Sequence, residues 1–193
     1  MKRVEITPAA VFVAALLLAG CGAPAEPAAA QPVAGADGVT DLVRLAEERA
    51  VLSDQVAASK FGTGKAVTDP AREAVVIDGA RADAARAGVD PEWAAQVFQD
   101  QITASTQVQN DLLRQWAAQP ALRPSGKPDL TTIRPELDRI GTEIITALEA
   151  AEPLREAPDC APTLDRAVAT ESADLDQIHR AALDEALHSI CAR

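Results

Sequence analysis

Leu42, Leu45, Leu52 and Val56 recur at steps of three and four, the spacing of one buried helix face. The same stripe passes through Arg49 and, one turn beyond Val56, through Lys60. A cation on a buried face is costly unless an anion or a local partner meets it. A pocket for a negatively charged ligand would meet that need; so would two side chains snorkelling at a helix edge. A second stripe repeats the pattern. Phe98, Ile102, Leu112 and Trp116 share one face, and Ser105 and Gln109 fill its two missing steps. Two polar-interrupted stripes point to a polar cavity inside a helical bundle.

Helical signals dominate the chain and no strand pattern emerges, so the expected class is all-α. The first helix is expected over 39–60, followed by a break at 61–68 that holds Gly62 and Gly64. Asp69-Pro70 opens a second helix with a cap and a proline at the first helical position, and Gly88 ends it. Asp90-Pro91-Glu92 opens a third by the same device, running to Ala118. Pro120, Pro124, Gly126 and Pro128 make 119–129 a loop. A fourth helix over 131–151 buries Leu137, Ile140, Ile144 and Leu148. Pro135 is expected in its first turn and Arg134 at its entrance. Pro153 to Pro158 break the chain again, and a fifth helix is expected from Pro162 to Ile190. Trp93, Phe98 and Trp116 are expected in the core.

The N-terminus has the layout of an export signal: Lys2 and Arg3, then an apolar run from Ala9 to Ala19. That run is short for a membrane span. It ends in Leu18-Ala19-Gly20-Cys21, which resembles a bacterial lipobox, whose Cys becomes the lipid-modified first residue. Ordinary cleavage near Ala28-Ala29-Ala30 is the alternative. The domain plan is therefore a signal over 1–20, an Ala/Pro/Gly-rich tether over 21–38 and one helical domain over 39–193. The expected location is outside the cytoplasm, anchored to the outer face of the membrane through a lipid on Cys21. Without that lipid the product would be secreted or periplasmic.

The formal charge of −11 argues against nucleic acid as a partner. A small ligand met by local cations fits better. Cys160 and Cys191 remain once Cys21 is assigned to the signal. In an oxidising location they are expected to pair and to pin the C-terminal helix to the loop before it; two independent buried thiols are the alternative. His179 and His188 have no ligand-like spacing around them, so no metal site is expected.

The polar set is Arg49, Lys60, Arg72, Glu73, Ser105, Gln109 and Arg134. Its order and spacing resemble the all-helical chorismate mutases, in particular the exported subclass. The stretches Leu45–Arg49, Val56–Lys60, Val97–Ile102 and Cys160 with Leu164–Ala167 carry the likeness, which covers 39–193. The resemblance implies rearrangement of chorismate to prephenate, an intramolecular Claisen reaction that uses no cofactor and no covalent intermediate. It implies that Arg49, Arg72 and Arg134 hold the two carboxylates, and that Lys60 and Gln109 face the ether oxygen. Ser105 would support a carboxylate or a neighbouring Arg, and Glu73 would accept from the ring hydroxyl. Some exported relatives place a polar residue for that hydroxyl at the position of Val76, so Glu73 is expected to serve instead. The subclass also implies a late disulfide and a homodimer with each pocket inside one protomer. The competing expectation is a non-catalytic helical lipoprotein that binds a small anion or a protein partner.

Overall fold

The structure, a computed structural model, describes residues 33–192. The expected signal over 1–20, Cys21 and most of the tether lie outside the described residues. Among the described residues there are six α-helices and no strand: α1 (Ala36–Lys60), α2 (Pro70–Ala87), α3 (Pro91–Ala118), α4 (Leu130–Arg155), α5 (Cys160–Glu171) and α6 (Gln177–Ala186). A short 3-10 turn, Pro120–Leu122, follows α3. No described helix is long and apolar enough to cross a membrane.

Aspartate side chains cap four of the helices. The Asp69 side chain accepts from the Arg72 backbone N–H, and Glu73 reaches back to accept from the Asp69 N–H at 2.9 Å. This reciprocal pair satisfies two of the donors that a helix start leaves unbonded. Asp90 accepts from the backbone of Glu92 and Trp93, Asp129 from Thr131, and Asp176 from His179. Gly88 closes α2 at φ 79°, a left-handed conformation that costs glycine little.

α1 packs against α3, α4, α5 and α6, so its apolar face becomes the centre of the core. Leu42, Leu45, Leu52 and Val56 are all buried, as are Trp93, Phe98 and Trp116. α1 and α4 run antiparallel and approach closely at Gly38, where an added Cβ would lie 2.4 Å from the Ala151 nitrogen. α2 packs on α3 and α4 but buries only Ala80 and Ala84.

Three boundaries differ from expectation. α1 begins at Ala36, ahead of residue 39. α4 runs from Leu130 to Arg155 and takes in both Pro135 and Pro153. The Asp129 cap moves its start forward, so Pro135 lies beyond the first turn. Its missing N–H leaves the carbonyl of exposed Thr131 to water, and Pro153 does the same at exposed Glu149. Buried Leu154 anchors the extra turn. The expected fifth helix is two, α5 and α6, separated at 172–176. The break is locally satisfied: Arg180 donates to the carbonyls of Leu175 and Ser172, and Asp176 caps α6. The turn lets α5 lie on α1 while α6 fills the space between α1 and α3. Cys160 and Cys191 form a disulfide that ties the start of α5 to the C-terminal segment.

Candidate active site

The parallel packing of α1 on α3 brings four of the expected residues into one neighbourhood. Lys60 Nζ donates to Gln109 Oε1 at 2.9 Å and to the Val67 carbonyl at 2.8 Å. Gln109 Nε2 donates to the Ser105 carbonyl at 3.1 Å and to Ser105 Oγ at 3.2 Å. These partners fix the amide orientation, because an ammonium only donates and a carbonyl only accepts. The Gln109 oxygen therefore faces Lys60. The Gln109 nitrogen has two hydrogens and two acceptors, both on Ser105. Lys60 has three hydrogens and two partners.

Arg49 lies on the same face of α1, nearer its start. The residue as a whole keeps some exposure, yet its Nε is out of solvent and has no hydrogen-bond partner. Burial pushes the guanidinium pKa down to about 10, and the nearby Asp138 carboxylate partly offsets this. Burial also lowers the pKa of Lys60, against the opposing pull of Asp69 and Glu73. Arg49 remains a cation near neutral pH. The loop between α1 and α2 folds back through the Lys60–Val67 contact and covers this end of the site.

Arg72 and Arg134 are both exposed, and neither makes a salt bridge with a described residue. The antiparallel register set by the Gly38–Ala151 approach and the Glu48–Arg139 ion pair carries the backbone of Arg134 to the level of Ser53. That level lies between Arg49 and Lys60. Glu73 is committed to its helix cap through Oε1. Val76 is half-buried and packs against the core.

The structure adds Ser53, which the sequence reading passed over. It is 1% exposed, donates to the Arg49 carbonyl at 3.0 Å and lies 2.8 Å from Ser105 Oγ. A serine within a helix usually bonds the carbonyl four residues back, so the pattern gave no separate signal.

The surface clefts lie elsewhere. One of about 310 Å³ runs between α2 and α3, past Ile77, Arg81 and Gln99. Another of about 350 Å³ lies beside Trp93, Arg155 and the disulfide. Neither is lined by Arg49, Lys60, Ser105 or Gln109. Among the described residues no group of His, Cys, Asp and Glu could hold a metal ion.

Residues 40–110 match the family described as Chorismate mutase type II. A protein named secreted chorismate mutase from Mycolicibacterium smegmatis is 39% identical over 166 residues, covering 83% of this chain and 91% of its own length. A secreted chorismate mutase from Mycobacterium tuberculosis is 32% identical over 165 residues, covering 83% of both chains. The solved chorismate mutase from Burkholderia thailandensis superposes with a TM-score of 0.76 at 40% identity, covering 80% of this chain and 99% of the other. With its helical fold and the polar cluster between α1 and α3, the chain belongs to the chorismate mutase family.

Proposed function

We propose that the cluster between α1 and α3 is the active site of an exported chorismate mutase, converting chorismate to prephenate. Orphaned Arg49 Nε carries the reading: a buried guanidinium nitrogen without a partner marks a place for an anion. Chorismate offers two carboxylates. Arg49 would grip one from inside, with Arg72 and Arg134, which no salt bridge holds back, closing on them. Ser105, whose one hydroxyl hydrogen faces Ser53, would act through the Gln109 amide rather than by donating to a carboxylate.

The reaction is an intramolecular rearrangement in which one C–O bond breaks as a C–C bond forms. It requires no nucleophile and no proton transfer, so the site contributes positioning and electrostatic stabilisation. Negative charge grows on the ether oxygen in the transition state. Lys60, with one hydrogen beyond its two partners, and the Gln109 amide bonded to it would meet that charge. Donors aimed there stabilise the transition state more than the substrate, which is what raises the rate. Glu73 would reach the ring hydroxyl with the oxygen that its cap leaves free.

Two finer features belong to the same reading. The lipobox-like sequence at Cys21 implies a lipid anchor, and Cys21→Ser would then release the protein from membranes. A homodimer is expected from the subclass. The cluster draws on α1 and α3 of one chain, so activity would not depend on it. The test is prephenate formation by the purified chain, with Arg49→Ala and Lys60→Ala as controls. Turnover that both substitutions abolish supports the reading. A folded, disulfide-bonded protein without turnover moves the function to binding of a small anion or a protein partner.

A further inference from the structure

Ser53 links the two helices of the site through hydrogen bonds whose direction is fixed from both ends. The Arg49 carbonyl can only accept, so the single hydroxyl hydrogen of Ser53 goes to it at 3.0 Å. Ser53 Oγ can then only accept from Ser105, 2.8 Å away. That commits the single hydrogen of Ser105, so Ser105 Oγ must accept from Gln109 Nε2. The Gln109 oxygen is thereby left facing Lys60, which can only donate. Four donors in series point the same way, from the Lys60 ammonium to the Arg49 carbonyl. Each bond polarises the next.

We propose that Ser53 is a positioning residue for the rearrangement, acting by orienting the Ser105 hydroxyl and, through it, the Gln109 amide against Lys60. At 1% exposure it lies wholly inside the helix interface. Without its hydroxyl, the Ser105 hydrogen loses its acceptor and can turn toward the Gln109 nitrogen. The amide then keeps its bond to the Ser105 carbonyl but loses its second acceptor, so its oxygen is held less firmly against Lys60. Nothing in this alters the grip on the carboxylates. The cost therefore falls on the transition state alone, where charge on the ether oxygen must be met.

The inference rests on the function proposed above, and its test separates the two. Steady-state prephenate formation is measured for wild type, Ser53→Ala, Ser105→Ala and the double variant, with thermal melts to confirm folding. Losing one orienting hydrogen bond predicts that Ser53→Ala lowers kcat about fivefold while KM stays within about twofold. In the Ser105→Ala background the same substitution should have no further effect, because the chain of bonds is already cut. Ser53→Cys, of similar volume but a weak donor and acceptor, should repeat the loss and serves if the alanine protein does not fold. Wild-type kinetics in both Ser53 variants, or an equal loss with and without Ser105, overturns the proposal. A wild type without turnover refutes the function itself, and the inference with it.

Discussion

His179 should make the stability of this protein fall as pH rises through the weakly alkaline range. Its Nε2 lies 2.8 Å from Asp54 Oδ1 and its Nδ1 lies 2.8 Å from Asp176 Oδ1. Both ring nitrogens face carboxylates, so both must donate, and the imidazole must be charged. The hydrogen bond to Asp54 raises its pKa first, burial opposes, and Asp176 adds to the rise; the result is about 9 against an ordinary 6.5. A folded-state pKa above the unfolded one stabilises fully below the unfolded value and is lost as pH passes the folded one. The window is therefore about pH 6.5 to 9. The full shift corresponds to about 3 kcal/mol. Asp54 and Asp176 are 44% and 63% exposed, and screening at both reduces this to about 1–2 kcal/mol. In a domain this size that is a fall in Tm of about 2–8 °C. Thermal melts of wild type and His179→Gln at pH 6, 7.5 and 9 read it as a difference, since other groups titrate in both proteins. Two Tm curves that run parallel from pH 6 to 9 would refute the clamp between α1 and α6.

Two further predictions concern the helix interface and the amide at the centre of the site. Gly38→Ala places a Cβ 2.4 Å from the Ala151 nitrogen, 2.7 Å from the Ala150 carbonyl carbon and 2.8 Å from the Ala147 oxygen. All three are backbone atoms, so α1 and α4 must part; urea unfolding should show a loss of about 3 kcal/mol, and less than about 1 kcal/mol would mean the helices adjust freely. Gln109 donates at any ordinary pH, so wild-type kcat should show no acid optimum of its own, whereas Gln109→Glu should lose more than about tenfold at pH 7.5 and recover toward about pH 5 as the carboxyl protonates. A steep wild-type loss between pH 5 and 7 that disappears in Gln109→Ala contradicts this.

The sequence made the architecture legible wherever one periodicity or one cap decided it. The buried stripe of α1 and the aspartate-proline starts of α2 and α3 came out as read. Elsewhere tertiary contacts override local rules. Pro153 marks a helix end by its own chemistry, but buried Leu154 carries the helix one turn further. The break between α5 and α6 has no glycine or proline. It depends on Arg180 reaching back to two freed carbonyls, a contact that no local pattern encodes. Within the site, the residues that interrupt an apolar stripe were visible because burial makes a polar residue conspicuous. Ser53 was not, since its partner Ser105 lies 52 residues away on another helix. Arg72 and Arg134 entered through the family resemblance, and their exposed positions show why periodicity alone would pass them by.

The distribution of charge also sets what draws substrate into the site. The chain is strongly acidic, with a formal charge of −11, so a dianionic substrate gains nothing from the protein's overall field. Attraction has to come from the local cations, and Arg49 keeps its charge at neutral pH although burial lowers its pKa to about 10. The energy for binding is therefore already invested in an underpartnered guanidinium, and a carboxylate recovers part of that desolvation. Lys60 is in a different position, because it is satisfied by Gln109 and by the Val67 carbonyl. Its third hydrogen is left to meet the ether oxygen, an acceptor that becomes anionic only in the transition state. Lys60 thus gains little on binding and more as the ether bond breaks, which is the condition for a group to raise kcat rather than tighten KM.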